Sequence, residues 1–422
     1  MTNESTLPDD IQLLDSLLGV EARKWGNACK LPSALRVTEK LEPVGGWEIP
    51  VFPASHAGAR DNDPPVYDLN GSEEGPEIEL RNKSGGTSKV KLIIRAKQCT
   101  LDSYQSQANR MEPAFLDSEF SGLVPQATVA VPRKKTKKDK AEKQEETKEP
   151  LNLLELAHRV GDFRVRLSEE KDDVAKAIKA FEKGDALPLL RDFPTSLLFG
   201  FWDSRGDQAK HARILMARID AFDVIPCRRH SLYSGMYSKD EFAKVIGQEI
   251  DKKSADKLSE LGFTNAPSSG LGGVLARKDG ITRTATLSLT DLARIRCAKP
   301  QDSADADEKI LTEAARRYLF CIGALAESYQ RGFGSYRLRS GCELIPVGEP
   351  AYELRGPQWS DTTKVIDLCK NASRLKAIAQ DAAKALHIET APDKAKSYTL
   401  TPASLKKAFE EAKKAKPEPE NS

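Results

Sequence analysis

A strand that leads directly into a capped helix is the feature of this sequence that most restricts its fold. Residues 89–96, KVKLIIRA, are rich in β-branched side chains and follow a Gly-Gly pair, so they predict a buried strand. Asp102 or Ser103 can then cap a helix. Its apolar positions lie four, three and four residues apart, at Tyr104, Ala108, Met111 and Phe115. The opposite face of this predicted helix is polar and cationic, with Ser106, Asn109 and Arg110.

The remaining apolar periodicity predicts further elements of both kinds. We expect strands at 195–201, 214–225 and 342–347, a hairpin with an Asp279-Gly280 turn at 272–289, and an amphipathic helix at 308–332 ending at Gly332. Residues 58–77 are rich in Gly, Pro, Asn and Asp and predict a long loop. Helices at about 9–18 and 361–387 are expected outside the core. The order of the elements favours an α+β fold with a split βαβ arrangement.

The total charge is nearly balanced, but its distribution along the chain is uneven. The 422 residues include 65 Lys plus Arg and 63 Asp plus Glu, a formal net charge of +2. Residues 133–140, RKKTKKDK, carry six basic groups and one acid, so we expect a disordered charged insertion at 130–150. No apolar stretch approaches the ~20 residues of a membrane span and no secretory signal is evident, which favours a cytoplasmic protein.

Catalytic and metal-binding patterns are largely missing from the sequence. The seven cysteines form no C-x-x-C pair and the five histidines form no H-x-x-x-H pair, so neither a disulfide framework nor a metal site is expected, and no cofactor is implied. Asp203, Asp220 and Asp223 could form a carboxylate cluster for metal-assisted hydrolysis. The alternative is that each of these carboxylates pairs with a neighbouring arginine.

Basic residues cluster in three segments that are otherwise expected to be folded. Arg331, Arg337 and Arg339 lie in RGFGSYRLRSG, where glycine lets a polyanion approach, arginine binds phosphate, and Phe333 or Tyr336 could stack on a base. The other two segments hold Arg205, Lys210, His211 and Arg213, and Arg277, Lys278 and Arg283. The alternative for RGFGSYRLRSG is a solvated loop with arginines at the C-terminus of a helix. Trp202 either stacks on a base or fills the core beside Phe199 and Phe201.

The segment LDSYQSQANRMEPAF, residues 101–115, resembles the hallmark of the CRISPR-associated backbone subunit of type I-U (I-G) interference complexes, a member of the repeat-associated mysterious protein (RAMP) superfamily. Four further segments agree in order. They are GWEIPVFPASHAG (46–58), TSLLFGFWDSRGDQAKHARILMARIDAFDV (195–224), LGGVLARKDGITRTATLSLTDLARIR (271–296) and RLRSGCELIP (337–346). The resemblance covers roughly residues 30–350.

This resemblance implies a fold and a division of the chain. The fold is an RNA-recognition-type (RRM-like, ferredoxin-like) βαββαβ core with an inserted β-hairpin, or thumb, and helical elaborations. We therefore expect an N-terminal helix in residues 1–30, the RNA-binding core with its insertions in 31–360, a helical element in 361–400 and a charged segment in 401–422.

The resemblance also implies a function without catalysis by this chain. Copies of such a subunit stack head to tail along CRISPR RNA, beside other subunits of the interference complex, and present the guide bases for pairing with target DNA. A recruited helicase-nuclease performs the cleavage. The alternative is a metal-dependent ribonuclease that cuts target RNA with carboxylates such as Asp203 or Asp102. A weaker third possibility is processing of the precursor RNA.

The candidate RNA-binding residues come from two sources. The first group lies on the helix that resembles the RNA-facing helix of the family: Ser106, Gln107, Asn109 and Arg110. The second follows from the glycine and arginine pattern: Arg205, Arg213, Arg283, Arg337 and Arg339. For the second group the competing interpretation is ion pairing within or between subunits.

Overall fold

The computed structural model describes residues 6–57, 65–81, 87–132, 148–156, 158–203, 208–233, 237–251, 254, 257–258, 263, 266–299 and 307–414. The α-helices within these ranges are α1 (Leu7–Leu18), α2 (Tyr104–Met111), α3 (Phe163–Arg166), α4 (Lys171–Glu182), α5 (Leu187–Asp192), α6 (Pro194–Phe199), α7 (Lys239–Ile246), α8 (Leu289–Arg294), α9 (Glu308–Tyr329), α10 (Thr362–Cys369), α11 (Ala372–Ala385) and α12 (Pro402–Lys414). In this part of the chain no helix has both the length and the apolar character needed to cross a membrane.

The strands form one large sheet and three small ones within the same ranges. They are β1 (Ala34–Pro43), β2 (Ser55–His56), β3 (Val66–Tyr67), β4 (Leu69–Arg81), β5 (Thr87–Asp102), β6 (Ala127–Pro132), β7 (Lys148–Asn152), β8 (Phe201–Trp202), β9 (Lys210–His211), β10 (Leu215–Tyr233), β11 (Ala266–Leu275), β12 (Ile281–Ser288), β13 (Tyr336–Arg339), β14 (Cys342–Pro346), β15 (Ala351–Arg355) and β16 (Lys396–Thr399). Short 3₁₀ turns, such as Glu112–Leu116 after α2 and Gln330–Phe333 after α9, extend several helices.

The large sheet has the strand order β13-β14-β1-β12-β10-β5-β4, with β11 also pairing with β10 and β15 with β1. Every pairing in it is antiparallel. Its centre is fixed by two registers, in which Ala285 of β12 lies opposite Val37 of β1 and Ala217 of β10. The protein is therefore mixed α and β, with an extensive antiparallel sheet.

Two long ribbons continue beyond the point where β5 and β10 stop pairing. The last pair joining these strands is Ala96 with Val224. From there β5 continues with β4 as far as the Thr87–Arg81 pair, and β10 continues with β11 as far as the Tyr233–Ala266 pair. Because β5 and β10 are antiparallel, both ribbons leave the same end of the sheet.

Helices pack on one face of the sheet, and the opposite face is less deeply buried along β12. Along β12, Ile281, Arg283, Ala285 and Leu287 are buried, whereas the alternating Thr282, Thr284 and Thr286 are half-buried. The inward row meets α9, where Gly323 sits against Leu287. Helices α1, α10 and α11 are present near the predicted positions 9–18 and 361–387. They pack with α9 in the same hydrophobic cluster, so the expectation that the terminal helices lie outside the core is wrong.

Several local predictions are wrong for an identifiable reason. Residues 195–201 were expected as a strand, but Pro194–Phe199 is helix α6 and only Phe201–Trp202 is extended. All six residues of α6 are buried, and a short apolar run surrounded by core does not distinguish a helix from a strand. Pro194 occupies the first helical position, where proline is favoured.

The hairpin predicted at 272–289 is also wrong. The strands β11 and β12 run in the same direction along one side of β10, with Leu275 opposite Ile225 and Ile281 opposite Ala221. The Asp279-Gly280 turn is real, since Gly280 N–H donates to the Arg277 carbonyl at 2.9 Å. This turn lies in the short loop that connects β11 to β12, two strands that follow one another along β10, and it is not the tip of a hairpin.

The polar segment 58–77 and the charged segment 130–150 are both more ordered at their ends than expected. Residues 69–77 belong to β4, whose glutamates face lysines of β5, as in the Glu74–Lys91 pair at 2.6 Å. A two-stranded ribbon with two solvated faces needs no apolar alternation, and the loop prediction depended on such alternation being absent. Residues 130–132 and 148–150 pair as parts of β6 and β7. The described residues do not include 58–64 or 133–147, and of the predicted charged segment 401–422 they include only the part up to Lys414.

Candidate nucleic-acid interface

The predicted capped helix is confirmed, and it begins directly where β5 ends. Ser103 is the N-cap, and its side-chain oxygen accepts a hydrogen bond from the backbone N–H of Ser106. Ala108, Met111 and Phe115 are buried, as the spacing predicted, whereas Tyr104 is exposed. The strand-to-helix junction therefore fixes the direction in which the polar residues of α2 point.

Asp102 is the centre of this junction. Its carboxylate is 1% exposed and accepts four side-chain hydrogen bonds. The donors are Ser106 Oγ at 2.7 Å, Gln107 Nε2 at 2.7 Å, Arg110 Nε at 3.1 Å and Arg339 Nη2 at 3.1 Å. Donors four, five and eight residues after Asp102 lie on one face of a helix, so a single carboxylate can organise the QSQANR segment.

Two arginines share this one carboxylate. Arg110 also donates to the Leu338 carbonyl at 2.6 Å, and Arg339 to the Leu101 carbonyl at 3.0 Å. Each side chain remains about a quarter exposed, at 28% and 26%. Two guanidiniums on one carboxylate leave a local charge of about +1, and the partial exposure places that charge where an anion can reach it.

Gln107 and Arg283 were predicted as RNA contacts, and the structure corrects both. Each is fully buried. Arg283 donates to Gln107 Oε1 at 3.1 Å, to Glu39 Oε2 at 3.1 Å and to Glu327 Oε1 at 2.5 Å. In this conformation neither side chain is accessible to a phosphate. Their role is to join α2, α9, β1 and β12, and Gln107 connects the buried Arg283 to Asp102.

Glu39 and Glu327 extend this hydrogen-bond network to Arg331 and Tyr336. Arg331 Nε lies 2.6 Å from Glu39 Oε1, and Tyr336 Oη donates to Glu39 Oε2 at 2.5 Å. Burial alone would raise the pKa of Glu39, but the hydrogen bond from Arg331, the charges of Arg283 and Arg331, and the Tyr336 hydroxyl together lower it below its ordinary value. Tyr336 is thus a buried hydrogen-bond donor, and of the two predicted stacking residues only Phe333 is exposed.

The lowered pKa of Glu39 predicts a pH-dependent contribution to stability. A carboxyl whose pKa is lower in the folded state stabilises the fold above its unfolded-state pKa, and the stabilisation is lost as the pH falls. We expect Glu39→Gln to lower the free energy of unfolding by about 3 kcal/mol at pH 7. The difference from wild type should shrink as the pH falls through the ordinary value of 4.5.

Urea denaturation of both proteins between pH 4 and pH 7 checks this expectation. Glu353→Gln is the matched control, because Glu353 of β15 pairs with Arg36 on the other face of β1 and its side chain is 42% exposed. The control should change stability little at any of these pH values. A Glu39→Gln difference that is independent of pH would contradict the assigned ionisation.

The other predicted RNA contacts lie at different depths. Asn109 and Arg337 are exposed, and Ser106 and Arg213 are half-buried. Asn109 Oδ1 accepts a long hydrogen bond of 3.4 Å from Arg159. Arg205 lies outside the described residues. The structure brings Ser106, Arg110 and Arg339 together at Asp102, whereas Asn109 contacts Arg159.

The three carboxylates proposed for metal-assisted hydrolysis are ion-paired, which confirms the alternative interpretation of them. Asp203 is buried and its carboxylate lies 2.9 Å from Arg166 Nη2. Asp220 pairs with Arg218 at 2.5 Å and Asp223 with Arg277 at 2.8 Å. Among the described residues no three His, Cys, Asp or Glu side chains form a group that could hold a metal ion.

Residues 35–226 match the family model described as CRISPR-associated protein GSU0053. The match identifies a CRISPR-associated protein family. It extends from β1 through the Asp102 junction and α2 to the middle of β10, while Arg283 and Arg339 lie beyond it. The CRISPR association inferred from LDSYQSQANRMEPAF is thereby confirmed. No curated protein matches the chain.

Proposed function

We propose that this chain is a backbone subunit that holds CRISPR RNA by its sugar-phosphate backbone in a type I (Cascade-like) interference complex. The observation that carries the proposal is that Arg110 and Arg339, both partly exposed, donate to the Asp102 carboxylate, which lies just before α2. A guanidinium anchored through some of its N–H groups is preorganised to donate the others to phosphate. Such contacts carry no sequence information, as a subunit that accepts any guide requires.

The strand order supports an RRM-like core. Taken in chain order, β1, α2, β10, β12, α9 and β14 follow a βαββαβ pattern with insertions. In the sheet the four strands lie in the order β14-β1-β12-β10, which is the order 4-1-3-2, with antiparallel neighbours. We assign the β10–β11 ribbon as the inserted hairpin, with β4–β5 as a second projecting ribbon.

The partners follow from the same proposal. Several copies bind one guide strand head to tail, other subunits complete the complex, and target DNA pairs with the guide bases that face outward. The chain itself is proposed to be non-catalytic. The alternative, a metal-dependent ribonuclease at Asp203, requires a carboxylate that can coordinate a metal ion, and burial against Arg166 does not favour it.

Purification and salt titration test the proposed function. The protein, isolated at low salt, should carry protected RNA, and after this RNA is removed it should bind a single strand with log K falling by about 0.7 per neutralised phosphate for each tenfold rise in salt. Arg337→Ala should reduce this slope by about 0.7, equally for unrelated sequences. Arg337 is suited to this test because it is exposed and adjoins Leu338, whose carbonyl anchors Arg110.

Arg294→Ala is the matched control for Arg337→Ala. Arg294 is an exposed arginine on α8, at the end of the sheet opposite to the ribbons, and should leave the slope unchanged. Protein that is recovered without RNA and binds none at low salt would overturn the proposed function. Regularly spaced cuts in complementary RNA with Mg²⁺, lost in Asp203→Ala, would establish the ribonuclease instead.

A further inference from the structure

The short hairpin of β8 and β9 has one face in the core and one in solvent. Phe201 and His211 lie opposite each other and pack on Phe181, with ring centroids 6.0 Å and 5.0 Å from it. Because side chains alternate along a strand, the next pair, Trp202 and Lys210, points the other way. Both are exposed, and Trp202 is 65% exposed, so of its two alternatives the one in which Trp202 fills the core is wrong.

The backbone beneath Trp202 is held firmly. Gly200 has φ of +76°, and a Cβ there would lie 2.8 Å from the His211 carbonyl oxygen. Gly161 packs so closely that a Cβ would lie 2.7 Å from the Trp202 carbonyl oxygen. Asp203 N–H donates to the Ala209 carbonyl at 2.8 Å and its carboxylate pairs with Arg166. An exposed indole is therefore presented on a fixed support, which lowers the entropy lost when a ligand binds.

The charge around this indole is positive. Lys210 lies directly across from Trp202, where cross-strand side chains are about 5 Å apart, and it forms no ion pair with a described residue. Arg213 follows, and its Nε is buried without a hydrogen-bond partner within the described part of the chain. Burial, together with the nearby Arg159, lowers the pKa of Arg213. An anion that approaches Arg213 would relieve both of these unfavourable effects.

The base of the hairpin adjoins the proposed RNA-binding helix. Arg159 donates to the Gly200 carbonyl at 3.4 Å and to Asn109 Oδ1 at 3.4 Å. Asn109 lies on the exposed face of α2, one residue before Arg110. A strand held at Arg110 and Asn109 can thus continue toward Arg213 and Trp202.

We infer that Trp202 is a stacking platform for one unpaired base of the bound RNA strand, with Lys210 and Arg213 meeting the phosphates on either side of it. Stacking on an aromatic ring tolerates any base, because every base has a π-face, so the contact is compatible with any guide sequence. The inference rests on the proposed function and adds to it a contact made to the base rather than to the backbone.

Two oligomers of equal length distinguish stacking from backbone binding. One is single-stranded RNA, and the other is a chain of abasic tetrahydrofuran phosphates with the same charge but no bases. Trp202→Ala should weaken binding of the RNA by about 5- to 100-fold, the effect of losing one base–aromatic stack. It should leave binding of the abasic oligomer unchanged. Trp202→Phe should retain most of the affinity, and Trp25→Ala, which removes a fully exposed tryptophan elsewhere in the chain, should retain all of it.

Each other outcome overturns the inference in a recognisable way. If Trp202→Ala binds RNA as tightly as wild type, there is no stacking, and the proposed function stands. If it weakens both oligomers equally, the residue only supports the fold. If binding is normal but sedimentation shows smaller assemblies, Trp202 contacts a neighbouring copy. If the wild-type protein binds no RNA, the proposed function itself has failed.

Discussion

Replacing Arg283 with leucine is expected to lower the free energy of unfolding by about 3–5 kcal/mol. Arg283 is fully buried and joins two buried carboxylates, Glu39 and Glu327, to Gln107 and to the Met111 sulfur. Leucine fills part of the space but leaves both carboxylates facing each other, with Arg331 and the Tyr336 hydroxyl to compensate them. Guanidinium denaturation of RNA-free protein at pH 7 measures the change.

The control is an arginine of an exposed ion pair in the turn between β11 and β12. Arg277 pairs with Asp223 at 2.8 Å with most of its side chain in water, so Arg277→Leu should change the free energy of unfolding by less than about 1 kcal/mol. If Arg283→Leu also changed stability by less than 1 kcal/mol, the buried network would not hold the helices to the sheet. A large loss together with an unchanged denaturant slope would locate the effect in the native state.

Several of the charged residues in this near-balanced sequence belong to ion pairs around buried carboxylates. Arg283, Arg331, Arg110 and Arg339 are ion-paired inside the protein with Glu39, Glu327 and Asp102. Glu39, Glu327 and Arg283 contribute to the total charge but are buried, whereas Arg110 and Arg339 keep part of their surface exposed. The net charge of +2 therefore gives little information about RNA binding, whereas partial exposure at Arg110, Arg339 and Arg337 does.

Local sequence patterns correctly predicted those helices and strands that are determined by the residues within them. The cap at Ser103, the helix α9, the strand β14 and the terminal helices follow from spacing and capping chemistry, and all are present. Helix α9 ends three residues earlier than predicted and passes through a 3₁₀ turn to Gly334, whose φ of +76° suits the C-terminal cap better than Gly332.

Pairing between distant segments could not be predicted in the same way. The sequence of β12 shows alternation, but nothing in it states that β11 continues along the same side of β10 rather than folding back on β12. For Arg283 a signal was present. It shares the parity of Ala285 and Leu287, two apolar residues of the inward row, which indicates burial. A charged residue at such a position implies a buried partner rather than a phosphate contact.

Replacing Asp102 with asparagine should separate positioning from charge in the proposed RNA interface. The substitution removes one negative charge, so simple electrostatic attraction predicts tighter RNA binding. If Asp102 positions Arg110 and Arg339, binding should instead weaken by at least about tenfold, since each guanidinium loses a charge-assisted hydrogen bond worth roughly 1.5–3 kcal/mol. RNA affinity measured at several salt concentrations distinguishes the two interpretations, because one predicts tighter binding by the variant and the other predicts weaker binding.

Asp223→Asn is the matched control for charge, because it removes an acid whose arginine partner is largely exposed. It should leave RNA affinity equal or slightly higher. Because four donors converge on Asp102, the asparagine variant will also be less stable, and binding must be measured where circular dichroism shows it folded.

Arg110→Lys tests, on the arginine partner of Asp102, whether geometry or charge is required. Lysine keeps the charge but lacks the planar fork that contacts both Asp102 and the Leu338 carbonyl, so it should weaken binding if geometry rather than charge is required.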